Sequence, residues 1–247
     1  MPRIFLSPST QEYNPYVNGG NEEYYMNLIA DALIPYLEAS GIEYTRNDPS
    51  KTVGNSIRMS NSGNYDLHLA LHSNAAPPDT AGKIRGSQVY YYPSSSQGER
   101  AANIFANNLK EIYPDPEKVK TVPTTSLVEI MQTKAPAILI EIAYHDNPQD
   151  AEWIRENIGE IAKNLSVSTA DFLGIQDRNP SAAKTGIVAT QRSALNLRDE
   201  ASVNGNIIGK IPRGSTIPIL GQDGDWYLTY FEGKRGYVSS RYIDTES

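Results

Sequence analysis

The chain has 247 residues, which allows one large or two modest domains, and 39% of them are hydrophobic, as in an ordinary soluble globular protein. Zero cysteines exclude disulfides, thiolate metal ligands and a cysteine nucleophile. A net charge of −7 disfavours nucleic acid and anionic membranes as partners, and no apolar stretch approaches the ~20 residues needed to span a bilayer.

The opening Met1-Pro2-Arg3-Ile4-Phe5-Leu6 is too short an apolar run for a secretory signal peptide and reads as a first strand. A helix follows: Tyr25, Leu28, Ile29, Ala32, Leu33 and Tyr36 repeat at i, i+3, i+4 spacing. Asn21 suits its cap, and Glu22 and Glu23 complement the dipole of its first turn. A short strand at Ile42-Glu43-Tyr44 and a polar stretch holding Ile57 and Met59 lead to Asp66-Leu67-His68-Leu69-Ala70-Leu71-His72. There Leu67, Leu69 and Leu71 alternate with His68, Ala70 and His72, the period of two that marks a strand. Another strand at Ser87-Gln88-Val89-Tyr90-Tyr91-Tyr92, a helix near 99–112, a strand ending in Glu141 and a helix near 148–173 complete the first part. Such alternation predicts an α/β domain, a mostly parallel sheet with helices on both faces.

Residues 174–185 are polar and short on apolar side chains, as a linker is. From Gly186 on, short alternating segments at 186–190, 207–210, 216–220, 226–230 and 236–238 are separated by Gly-rich turns, which predicts a small all-β barrel. The expected organisation is therefore 1–173, linker 174–185, and 186–247.

Two residues draw attention as chemistry. His72 ends its strand where the chain turns polar, the place where α/β sheets gather ligands and catalytic groups; packing at a strand end is the plain alternative. Glu141 interrupts the apolar run Ala137-Ile138-Leu139-Ile140-Glu141-Ile142-Ala143, and a carboxylate there must be paired, bound to metal or protonated. An apolar surround would raise its pKa toward the range useful for proton transfer. His68 stands roughly 13 Å from His72 along the strand at about 3.3 Å per residue, too far for both to chelate one ion. His145 lies in the turn-like segment before Asn147-Pro148, as a surface loop histidine would, with support of the site from behind its ligands as the alternative. No Gly-x-Ser-x-Gly elbow, phosphate loop or His-Glu-x-x-His helix is present.

Phe5-Leu6-Ser7-Pro8, the Glu before Asn27-Leu28-Ile29-Ala30-Asp31-Ala32-Leu33, Leu71-His72-Ser73-Asn74-Ala75 and the block 135–150 together resemble, in order, the signature blocks of zinc-dependent N-acetylmuramoyl-L-alanine amidases over about residues 3–173. The resemblance implies Glu23 and His72 as zinc ligands, Glu23 because it stands four residues before Asn27, and Glu141 as catalytic acid/base. The family's first histidine ligand is missing here. Thr10 stands at its position, Gln11 is the nearest side chain with a carbonyl oxygen, and Glu12 is the chemically better zinc ligand; Gln11 is placed first on position. Residues ~186–245 resemble a bacterial SH3 domain, with Trp226, Tyr227, Tyr230 and Tyr242 as possible wall contacts, although packing suits Trp226 better. The resemblances imply a peptidoglycan hydrolase that acts at the bacterial cell wall as a monomer. Its substrate would be the amide between N-acetylmuramic acid and L-alanine, and its SH3 domain would dock on a wall polymer. A non-catalytic wall-binding protein, or a zinc peptidase acting within the stem peptide, is the alternative.

Overall fold

The computed structural model describes residues 1–178, 185–191, 193–219, 221–231 and 234–245. The chain divides into two compact units, Met1–Arg178 and Asn179–Ser247. Residues 179–184, the centre of the expected linker, lie outside the described residues.

The first unit runs β1 (Arg3–Pro8), α1 (Glu22–Ala39), β2 (Glu43–Arg46), α2 (Val53–Ser62), β3 (Leu67–Asn74), β4 (Ser87–Tyr91), α3 (Ser96–Ile112), β5 (Val119–Pro123), α4 (Val128–Gln132), β6 (Ala137–Tyr144), α5 (Pro148–Glu156) and α6 (Ile158–Leu173). Its six-stranded sheet has the order β2-β1-β3-β6-β4-β5. Every neighbouring pair is parallel except β4 against β6, which is antiparallel. The central strands β3 and β6 are almost wholly buried, which is why both read as apolar runs. Helix α6 packs against both α1 and α3, whereas α2 packs against α4. The face that carries His68 lies under this second pair, since Ser60 of α2 and Glu129 of α4 both hydrogen-bond its ring.

Three elements escape the sequence pattern. Helix α2, Val-Gly-Asn-Ser-Ile-Arg-Met-Ser-Asn-Ser, has too few apolar residues to show a period, and β5 and α4 have only five residues each. The helix expected near 148–173 is broken at Asn157, whose side chain returns to Trp153 O and whose backbone caps both α5 and α6.

The start of α1 is set by a tight turn. Gly19 and Gly20 both adopt positive φ, and a side chain on Gly20 would meet the Tyr25 ring at 2.7 Å. This tight turn sets Asn21 as the cap, its side chain accepting from Tyr24 N, and delivers Glu22 as the first helical residue.

The second unit is all β, with β7 (Thr185–Val188), β8 (Leu195–Arg198), β9 (Ile207–Ile211), β10 (Thr216–Pro218), β11 (Gly221–Asp223), β12 (Trp226–Phe231), β13 (Lys234–Ser239) and β14 (Ile243–Thr245). They form two antiparallel sheets, β10-β7-β14 and β11-β12-β13-β8-β9. Val188, Leu195, Leu197, Ile211, Ile217, Val238 and Ile243 make one small core. Gly236 is required on β13, where a Cβ would lie 2.5 Å from Arg198 O. Trp226 and Tyr227 are half-buried and Tyr242 is 44% exposed; the Tyr230 side chain lies outside the described residues.

Candidate active site

Strand register builds the first half of the site. His72 of β3 pairs directly with Glu141 of β6, so both side chains leave the same face of adjacent strands. They line a cleft of about 640 Å³ together with Gln11, Tyr13, Lys51 and Glu129.

The second half comes from loops and helix ends. Of the two glutamates that open α1, Glu22 is the one found beside His72: it is buried, and its Oε1 lies 2.8 Å from His72 Nδ1. Glu23, expected there from its spacing to Asn27, has its Oε1 accepting from Asn27 Nδ2 at 3.1 Å. The physical reason lies in the glycine turn, which points the first helical residue rather than the second at the strand ends. Asn14 Nδ2 also donates to Glu22 Oε2, at 2.6 Å.

Gln11 completes a triangle. Its Nε2 lies 3.4 Å from Glu22 Oε1 and 3.2 Å from His72 Nδ1, while its Oε1 accepts from Tyr13 and Asn14. Glu12 is exposed on the cleft wall.

Glu129, on the short helix α4, escaped the sequence reading. Its Oε1 meets His68 Nε2 at 2.9 Å and Ser7 Oγ, and its Oε2 stands 3.6 Å from His72 Nε2. The signal was present, because Glu129 is a lone carboxylate among Leu127, Val128, Ile130 and Met131, the same anomaly that marks Glu141. His68 is fully buried and reaches the site through Glu129. His145, expected on the surface, is buried: its Nδ1 lies 2.9 Å from Ser73 O, and its ring stacks on Tyr16.

The electrostatics follow from one imidazole among three carboxylates. Burial opposes charge on His72, but the adjacent carboxylates of Glu129 and Glu22 and the charge of Glu141 outweigh it and push its pKa up to about 10. Burial would raise Glu22 and Glu129 too, yet their pairing with imidazoles holds both below the usual carboxylate range. Glu141 has no such partner. Burial pushes it up to about 7, with His72 pulling down and Glu22 adding to the rise. Its Oε2 is buried without a hydrogen-bond partner.

Among the described residues no three His, Cys, Asp or Glu side chains converge as a metal cluster. The donor set nonetheless fits a divalent cation if the amide is counted. Two ligands each about 2 Å from an ion stand roughly 3 Å apart, and the tips of Glu22, His72 and Gln11 are separated by 2.8, 3.2 and 3.4 Å. An amide ligates through oxygen, so Gln11 would have to turn its side chain over.

The sequence pattern of the family described as N-acetylmuramoyl-L-alanine amidase matches residues 9–170. The chain belongs to this amidase family. A bacterial SH3 domain pattern matches residues 193–244. Bacteriocin BCN5 of Clostridium perfringens is 39% identical over 114 residues, 44% of this chain and 13% of that protein. A putative N-acetylmuramoyl-L-alanine amidase of Bacillus subtilis, YrvJ, is 25% identical over 95 residues, 38% of this chain and 18% of that protein. The matched stretch thus spans under a fifth of either relative. Among solved structures, the amidase AmiC2 of Nostoc punctiforme superposes with a TM-score of 0.62 at 18% identity, covering 70% of this chain and 97% of that one, and so shares the amidase fold. No helix among the described residues is long and apolar enough to cross a membrane.

Proposed function

We propose that the chain hydrolyses the amide joining the lactyl group of N-acetylmuramic acid to L-alanine of the peptidoglycan stem peptide. The observation that carries this reading is Glu141: a carboxylate lining the cleft, pushed up to about 7, with one buried oxygen unpartnered. Such a group is suited to take a proton from water and return it.

A divalent ion, zinc in the first instance, would be held by His72 and Glu22 with Gln11 as the third donor. When bound, it would polarise the scissile carbonyl and make water more acidic. Glu141 would accept the proton of the water whose oxygen attacks the carbonyl carbon. It would then deliver that proton to the departing amine of L-alanine as the C–N bond breaks. The products are a lactyl carboxylate and a stem peptide with a free amino terminus. The SH3 unit would dock on a wall polymer, holding the amidase unit near its substrate.

A second reading, a wall-binding protein without turnover, is favoured by one observation, the neutral amide of Gln11 in place of a charged or imidazole third donor. Mass spectrometry of peptidoglycan digested with the zinc-supplemented protein separates the two. Stem peptides with a free L-alanine amine are expected; intact walls that still retain the protein would leave the binder.

A further inference from the structure

We propose that Glu129 is a positioning residue for His72, itself anchored by His68 and Ser7. This inference rests on the reading of His72 as a metal-holding residue.

The two nitrogens of an imidazole face away from each other, so they can serve different partners. His72 turns Nδ1 to Glu22 and Gln11 and Nε2 to Glu129, whose Oε2 is 3.6 Å away. An ion on the Glu22 side therefore leaves Nε2 to carry the ring proton toward Glu129. A carboxylate behind a ligating histidine fixes both the tautomer and the ring direction.

Glu129 is itself held from behind. Oε1 takes Ser7 Oγ and His68 Nε2, and the other His68 nitrogen is 2.9 Å from Ser60 Oγ. The His68 ring stacks on Phe5, centroids 5.2 Å apart at 18°. Both His68 nitrogens and Glu129 Oε1 are hydrogen-bonded, and the members of this chain of contacts come from β1, α2, β3 and α4. Ser7, Ser60, His68 and Glu129 are all buried. Burying a carboxylate and an imidazole is costly where an apolar pair would fill the space. The arrangement acquires a purpose once Glu129 is seen to have a second oxygen directed to the cleft histidine. His68 reaches the cleft histidine through Glu129, which links two histidines four positions apart on one strand.

Two measurements test this. The first is a pair of metal-free crystal structures, wild type and Glu129→Ala. The His72 ring should keep Nδ1 against Glu22 in the wild type and be rotated or disordered in the variant; a ring unmoved in Glu129→Ala overturns the proposal whatever zinc does. The second is calorimetric zinc titration of wild type and Glu129→Gln, which keeps the shape of the side chain if the alanine variant fails to fold. Removing a group that holds a ligating histidine weakens metal about 10–100-fold, and that loss is expected here with a folded protein. Affinities within about twofold overturn the proposal. A wild type that takes up no zinc would sink the metal reading alone, and the crystal structures would still decide the role of Glu129.

Discussion

The two halves of the active-site cleft differ in how they are made. His72 and Glu141 stand on the two central strands and meet because β3 and β6 pair in register. Gln11, Glu22 and Glu129 arrive on a loop, a helix start and a five-residue helix. A strand fixes the direction of each side chain by parity alone, so the strand-borne half follows from the sequence once the two strands are recognised. The loop-borne half depends on turns whose geometry the pattern of residue types does not specify. The proposed roles divide in the same way: the strands carry the proposed proton acceptor, and the loops adjust what surrounds the histidine.

Breaking the strand-borne half should have the largest effect. Glu141→Gln keeps the shape and removes the proton acceptor, and the rate of stem-peptide release should fall about 10²–10⁴-fold. The same substitution should alter stability with a defined sign. The folded pKa of Glu141, about 7, lies above its ordinary 4.5, so ionising it in the folded state is unfavourable. In metal-free protein, Glu141→Gln should gain stability relative to wild type as pH rises from about 4.5 to about 7, read by denaturant titration at several pH values. Wild-type activity should likewise fall as pH drops and this carboxylate takes up its proton.

The loop-borne half is sharpened by comparing neighbours. Glu22→Gln removes a charge 2.8 Å from His72 and should weaken zinc by at least about the 10–100-fold expected when a group behind a ligand is changed. Glu23→Gln, at a side chain whose Oε1 meets Asn27 rather than His72, should weaken zinc by less. Equal losses from both would return the choice to the spacing argument that favours Glu23. Outside the cleft, Asp150 offers a control. It is fully buried and bonds Arg85 Nε, Tyr113 OH and the backbone amides of Gly86 and Tyr144. Asp150→Ala should cost about 3–5 kcal/mol, as breaking a buried pair does, measured by denaturant unfolding, and should shift zinc affinity least of all.

These contrasts also explain what the sequence made legible. The leucine alternation of β3, the apolar run of β6 and the amphipathic α1 identify the α/β unit, and the Gly-rich turns identify the β unit. Helix α2 stayed hidden because its Ser and Asn residues show no period, and α4 because one turn and a half is too short to show one. Glu129 was readable in principle as a buried charge in an apolar run. That Glu22 rather than Glu23 lies beside His72 was not, because it depends on positive φ at Gly19 and Gly20. His145 looked like a loop residue because Asn147-Pro148 follows it. Its burial comes from Ser73 and Tyr16, neighbours only in space.

The central claim is that Glu141 and the His72 cluster cleave the bond between N-acetylmuramic acid and L-alanine. Purified peptidoglycan incubated with zinc and either wild type or Glu141→Gln, followed by mass spectrometry of the soluble products, tests it most directly. Free stem peptides beginning with an unblocked L-alanine should come from wild type and be nearly absent from the variant. Equal release by both proteins, or release only of fragments cut elsewhere in the peptide or the glycan, would contradict the account.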